Sequence, residues 1–320
     1  MKFSIVIPAR RIDDFLKESM HYFLNQTYKD FEIIILSDTK EKYKFPKTRI
    51  INTGKLILSK KRELGAQIAK GEIIVLTDDD AYPSKDWLKN ALPYFNDPTI
   101  GGVCGPGITP KSDSFSQKLS GMVLEFSSGK NQYRYRPTKV QECDDFPTYN
   151  LFIRKNLLAK VKNQDKSYWA GEDTKLCYDI TKVLKKKIIY DPNILVYHHK
   201  KKLWKPHLKQ IFDYGSHRGY FARAFPKTSL RLTYFLPSIF VLGLIIGFIL
   251  SFKSFFIKDM YLLCLGMYLL FLVYQAIRTK SLVYGLAIIP VTFITQVTYG
   301  IGFIRGLILK EKIDRKRNER

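Results

Sequence analysis

The chain is poor in acid and in cysteine. Its 320 residues hold 29 Asp+Glu against 53 Lys+Arg, a formal net charge of +24. Such a surplus calls for an anionic partner: nucleic acid, anionic lipid or a phosphorylated substrate. Four cysteines without a Cys-x-x-Cys pair exclude a disulfide scaffold and make a zinc centre improbable. No Gly-x-Gly-x-x-Gly follows the first strand pattern and no Walker-type loop occurs, which argues against nicotinamide, flavin and P-loop nucleotide sites. No aromatic-interleaved basic motif is present, so nucleic acid is not expected as a partner. After Met1 there is no apolar segment behind a basic one. The N-terminal domain is therefore expected to lack a signal peptide and to stay on the side where it is made.

What the chain does have is 46% hydrophobic residues, too many for disorder. They are unevenly spread. Residues 232–252, 260–277 and 281–304 carry no charge and as helices would reach about 31, 27 and 36 Å, against a hydrocarbon core of about 30 Å. The expected organisation is a water-soluble domain over 1–228, a membrane region with two or three hydrophobic helices over 229–309 and a basic tail over 310–320. Two rules collide over the third run. Three full spans would put the basic tail outside, against the bias of Lys/Arg for the cytoplasm. Pro290, Thr292, Thr295, Gln296, Thr298 and glycines at 300 and 302 suit a broken or re-entrant segment. Two full spans, a third segment that does not cross and a cytoplasmic tail are the expectation. Three complete spans are the competing reading.

The first 200 residues alternate in period. Apolar runs at 3–7, 31–36 and 72–76 read as buried parallel strands, and 13–25 and 59–70 read as helices between them. This predicts an α/β fold with a doubly wound sheet and right-handed crossovers, in which ligands bind beyond the carboxyl ends of the strands. Those ends carry Pro8-Ala9-Arg10, Asp38 and Thr77-Asp78-Asp79-Asp80. Three successive carboxylates repel unless a cation sits among them, and oxygen donors suit Mg2+ or Mn2+. An Asp-rich surface turn before Pro83 is the alternative. Four of the five histidines lie within 198–217, and an imidazole at 198 or 199 could join the carboxylates. Lys200, Lys201, Lys202, Lys205 and Lys209 beside the membrane region point to anionic lipid. Residues 212–219 are placed at the junction, as a lid over an acceptor.

Seven segments in order resemble the family 2 glycosyltransferases with the GT-A fold, over residues 1 to about 220. They are Ser4-Ile5-Val6-Ile7-Pro8, the connection from Gln26 to Ile34, Arg62-Glu63-Leu64-Gly65, Leu76 to Pro83 with Trp87-Leu88, Gly101 to Pro106, Asn150-Leu151-Phe152-Ile153-Arg154 and Gly171-Glu172-Asp173. The resemblance implies a nucleotide-sugar donor, a UDP- or GDP-sugar, bound by Pro8, Ala9, Asp38, Arg62 and Asp78. It implies a divalent metal on Asp79 and His198, with Asp173 as the general base of an inverting displacement. Asp80, Asn150, Arg154, Trp169 and Glu172 fall to acceptor or supporting roles. The Gln-x-x-Arg-Trp element of processive synthases is replaced by Gln210-Ile211-Phe212-Asp213-Tyr214, which favours transfer of one sugar. The implied product is a lipid-linked or other glycan, made at the cell membrane by a catalytic domain facing the cytoplasm. Transfer to a polyprenyl phosphate is the near alternative and a nucleotidyltransferase the more distant one.

Overall fold

A computed structural model of the protein describes residues 1–161 and 171–309. These divide into two compact units, one made of 1–110 and 133–199, the other of 111–132 and 200 onward. The division at 199/200 comes earlier than residue 228, because the helix that follows packs with the C-terminal helices. Residues 111–132 also belong with those helices, although they are inserted between strands of the first unit.

The first unit is built on β1 (Phe3–Ala9), β2 (Phe31–Ser37), β3 (Thr48–Asn52), β4 (Ile73–Thr77), β5 (Ala81–Pro83), β6 (Ile100–Cys104), β7 (Gly107–Ile108), β8 (Gln141–Cys143), β9 (Asn150–Arg154), β10 (Lys187–Tyr190) and β11 (Val196–His198). Its helices are α1 (Asp14–Leu24), α2 (Leu58–Ile68), α3 (Trp87–Ala91), then, beyond an α4 (Phe115–Ser127) that lies in the second unit, α5 (Lys155–Leu158) and α6 (Glu172–Tyr178). The large sheet runs β3-β2-β1-β4-β9-β6-β10-β8, with β9 antiparallel to both neighbours and β8 antiparallel to β10. A small sheet runs β5-β11-β7. The mixed α/β architecture expected from the sequence is the one observed.

Helices cover both faces of the large sheet, and β1, β2 and β4 are buried along their whole length. That is why their sequences read as unbroken apolar runs rather than alternations. Helix α1 starts where Asp13 accepts the Leu16 N–H at 3.1 Å, an N-cap that sets the first crossover. Helix α2 lies close on β1, and a Cβ at Gly65 would collide with the Val6 side chain. This close approach is the physical reason for glycine in Arg62-Glu63-Leu64-Gly65. The order β2-β1-β4 sets the ends of those three strands side by side.

The second unit holds α4, α7 (Lys205–Ala224), α8 (Pro226–Ser229), α9 (Leu232–Ser251), α10 (Phe255–Arg278) and α11 (Leu282–Ile308). By length and composition α9, α10 and α11 could each cross a membrane. The third apolar run is not broken: α11 is one continuous helix that carries Pro290 inside it. The residues that suggested a break make contacts instead. Thr295 bonds His207 at 2.9 Å, Gln296 accepts from the Tyr268 hydroxyl at 2.7 Å, and a Cβ at Gly302 would strike the Phe212 backbone. Residues 212–219 are likewise helix rather than lid. Gly215 and Gly219 of α7 face the α11 backbone, and Gly302 and Gly306 of α11 face α7, so two glycine pairs spaced four apart bring the backbones together.

Between α4, α7 and α11 the fully buried His207 bonds Ser120 Oγ at 2.7 Å through Nδ1 and Thr295 Oγ1 through Nε2. Burial lowers its pKa to about 4. Unfolding would return the imidazole to about 6.5, so below that pH the unfolded chain binds more protons. The contribution of the neutral ring is complete above pH 6.5 and declines as pH falls toward 4, by up to ~3 kcal/mol. The Tm of detergent-solubilised protein should fall across that window. His207→Asn should lower Tm at pH 7 and flatten the slope, whereas an unchanged slope would remove His207 as its source.

Candidate active site

The three strand ends converge on two basic residues of α2. Arg62 is buried, and its guanidinium donates to Asp78 Oδ1 and to Glu172 Oε1, both at 2.9 Å. It thereby joins the end of β4 to the first turn of α6. Burial alone would lower its pKa, but the carboxylates of Asp78, Glu172 and Asp173 outweigh burial and raise it. Asp173 follows Glu172 in that first turn and accepts the Thr174 N–H at 2.7 Å. A helix N-terminus favours both acids there.

Lys61, the residue before, is 1% exposed. Its ammonium pairs with Asp38 beyond β2 and donates to the carbonyl of Ala9 at the end of β1. It ties Pro8-Ala9 and Asp38 into one corner. The sequence reading passed over Lys61. Gly65 marks the sheet-facing side of α2, and residues three and four earlier, Arg62 and Lys61, share that side.

A second cluster stands where β4 gives way to β5. Asp78, Asp80 and His198 each offer a ligand atom, all within 4.8 Å of one another. Asp80 Oδ1 lies 3.1 Å from His198 Nε2, and the other ring nitrogen of His198 is buried without a hydrogen-bond partner. Two carboxylates and an imidazole fit a hard divalent cation. Asp79, expected from the sequence as a ligand, is not a member of this group. Asp79 and Asp80 lie in the turn between β4 and β5, and this turn brings Asp80 beside Asp78 and His198. At the end of β11 strand alternation separates the two histidines. His199 turns back toward α1, with Nε2 3.2 Å from Glu18 and its ring 4.6 Å from that of Phe15, while its backbone N–H donates to the Asp80 carbonyl.

The remaining residues are dispersed. Asn150 is buried, gives both amide hydrogens to the carbonyls of Gly105 and Ile194 at 2.7 Å and accepts from Trp87 Nε1 at 2.9 Å. It holds strand ends together. Arg154, at the other end of β9 beside Ile73, donates to the carbonyls of Ile100, Phe95 and Asp97, away from the carboxylates. Trp169 lies outside the described residues. Lys200 begins the second unit, where its N–H donates to Asp113 at 3.2 Å.

Residues 4–161 match the Glycosyl transferase family 2 profile. Two relatives match nearly end to end. One is the dolichyl N-acetyl-alpha-D-glucosaminyl phosphate 3-beta-D-2,3-diacetamido-2,3-dideoxy-beta-D-glucuronosyltransferase of Methanococcus voltae, 22% identical over 95% of this chain and 97% of its own. The other is the glucosyl-dolichyl phosphate glucuronosyltransferase of Haloferax volcanii, 21% identical over 99% of this chain and all of its own. A mannosyltransferase of Pyrobaculum calidifontis, solved in complex with GDP-Man and Mn2+, shares the fold with a TM-score of 0.64 at 17% identity, over 97% of this chain and 88% of that one. With an acid-lined cleft at the carboxyl ends of a mixed α/β sheet and with apolar C-terminal helices, the chain is a GT-A-like glycosyltransferase of membrane-bound sugar transfer whose residues 4–161 form a family 2 glycosyltransferase domain.

Proposed function

We propose that the enzyme transfers one sugar, with inversion, from a nucleoside-diphosphate sugar to a sugar already carried on a lipid phosphate, at the cytoplasmic face of a membrane. The Arg62 clamp carries this reading. A buried cation joins Asp78, which borders the candidate metal site, to Glu172, the neighbour of Asp173. That arrangement supports a donor side and an acceptor side held in register.

Asp38, held by Lys61, sits with Pro8 and Ala9 in the corner suited to the donor's base and ribose. Asp78, Asp80 and His198 would hold Mg2+ or Mn2+, which when bound supplies positive charge for the departing diphosphate. Arg62 fixes the Asp78 carboxylate while remaining charged at every working pH. Asp173 is assigned the proton of the acceptor hydroxyl as that oxygen bonds to the anomeric carbon. One base suffices for a direct displacement, and the product has the opposite anomeric configuration. The names of both relatives tie their activity to a dolichyl-phosphate-borne sugar, which favours a lipid-linked acceptor here. Lys200 is buried, but Lys201, Lys202, Lys205 and Lys209 are exposed and suit anionic headgroups, at about 1 kcal/mol per basic residue near the surface.

Membranes containing the enzyme should be given labelled UDP- and GDP-sugars with either a polyprenyl phosphate or a polyprenyl-phosphate-linked sugar. Label is expected in the lipid fraction with the sugar-bearing acceptor alone. Label on the bare polyprenyl phosphate would select the near alternative. No label on either would overturn the proposal.

A further inference from the structure

Helices α9 and α10 form an antiparallel hairpin. The Phe240 and Tyr268 rings stack at 4.2 Å, and the Tyr261 hydroxyl donates to the Leu244 carbonyl. These pairs set a register in which Ala276, near the end of α10, lies level with Leu232, the start of α9. Toward its tip the hairpin is exposed, with Ile245, Ile249, Leu262 and Leu263 more than half exposed. The tip presents Phe252, Phe255 and Phe256 beside Lys253, the aromatic and basic composition of a membrane–water interface. With 20 residues, α9 alone reaches about 30 Å, one hydrocarbon thickness.

Helix α11 meets this hairpin crosswise. Near one end, Gly285 faces the Ala276 carbonyl. Near the other, the Phe303 ring packs on Phe235 at 4.7 Å. These points are about 27 Å apart along α11, yet they dock at hairpin levels only ~5 Å apart. Midway, Gln296 reaches Tyr268, a level only about 12 Å from the base. A helix running parallel to the hairpin would instead change level by its full length.

The other side of α11 is covered from end to end by α4 and α7. Phe115 stacks on Tyr284, Leu119 and Val123 pack with Ile288 and Val291, and Arg223 donates to the carbonyls of Gly306 and Leu309. Those two helices carry Lys118, Glu125, Lys205, Lys209, Asp213 and Arg223. Upright, α11 would carry several of these charges to hydrocarbon depth, at about 2.5–3.5 kcal/mol each near the centre. What α11 leaves uncovered is one face, apolar except for Arg305 near its C-terminal end: Leu282, Val283, Leu286, Pro290, Phe293, Ile301, Arg305 and Ile308. A single apolar stripe opposite a face packed on charged helices is the pattern of a helix lying in an interface.

We infer that α11 lies in the plane of the bilayer, on the face where the α9–α10 hairpin enters and to which it returns. The chain then crosses twice, and its C-terminus remains on the side of the catalytic domain, whose strands continue directly into α4 and α7. Arg231, Arg278 and Lys280 at the hairpin base make that side the cytoplasmic one. The inference does not depend on which donor or acceptor the enzyme uses.

Nitroxides at Leu286, Phe293, Ile301 and Ile308, all exposed, would report depth in reconstituted vesicles through their accessibility to oxygen and to a water-soluble nickel chelate. The expected depths are shallow and equal within a few ångströms. A depth changing by about 1.5 Å per residue, with Phe293 near the midplane, would overturn the inference. Thiol labelling supplies a second reading. In a Cys264→Ser background, Lys253→Cys should react with a membrane-impermeant reagent on intact cells, and Leu309→Cys should react only after lysis. Reaction of Leu309→Cys on intact cells, or silence of Lys253→Cys, would refute the two-crossing topology.

Discussion

Asp80→Asn should reduce sugar transfer by roughly 10³-fold, whereas Asp79→Asn should remain within about tenfold of the parent enzyme. A metal that neutralises a leaving diphosphate contributes several kcal/mol to the transition state, and each 1.4 kcal/mol is a factor of ten in rate. Asp80 shares the cluster with Asp78 and His198, and Asp79 does not. His198→Ala should resemble Asp80→Asn, because the Asp80 carboxylate and the His198 imidazole already lie 3.1 Å apart. Activity alone does not separate lost metal from a lost fold, so Mn2+ binding is measured by its own paramagnetic signal, beside circular dichroism. The expected result is a folded Asp80→Asn protein that no longer takes up Mn2+. Excess chelator should silence the parent enzyme, and Mg2+ or Mn2+ should restore it. Full activity in chelator, or a larger loss from Asp79→Asn than from Asp80→Asn, would refute the assignment.

The sequence shows the strand ends far better than the side chains on them. Apolar runs stopped by Pro8, Asp38 and Asp78 mark buried parallel strands, since a strand covered on both faces has no alternation to obscure it. Their adjacency follows from right-handed crossovers. The strand ends thus put Asp38 and Asp78 in one cleft, and the resemblance to family 2 glycosyltransferases adds Arg62 and Glu172. The choice between Asp79 and Asp80 depended on a local turn at the end of β4, which composition does not encode. Lys61 escaped notice because a lysine on a helix reads as solvent-facing, and only the closeness of Gly65 to Val6 shows that this face is covered. Asn150 and Arg154 are motif residues committed to backbone carbonyls, so their presence in a pattern says nothing of substrate. Hydropathy measured how long the third apolar run is but not which way it points. Its orientation comes from α4 and α7, which lie 150 and more residues away from much of α11 or begin some 75 residues before it. The insertion of 111–132 into the second unit is a tertiary event of the same kind.

Asp173→Asn is the other substitution with a large expected effect, a fall in turnover of roughly 10² to 10⁴, the usual share of general-base catalysis. The comparison that makes it decisive is Glu172→Gln. Both acids lie in the first turn of α6, but Glu172 is bound to the Arg62 guanidinium at 2.9 Å. Removing that charge should loosen Arg62 and, through it, Asp78, so Glu172→Gln should raise the KM for the donor along with any loss in kcat. Asp173 raises the Arg62 pKa only through space, and its neutralisation leaves both hydrogen bonds of the guanidinium in place. Asp173→Asn should therefore lower kcat while donor affinity, read by nucleotide binding to the purified protein, stays within about twofold. If Asp173→Asn weakens nucleotide binding as much as Glu172→Gln does, Asp173 belongs to the Arg62 clamp and the proton of the acceptor must leave by another group.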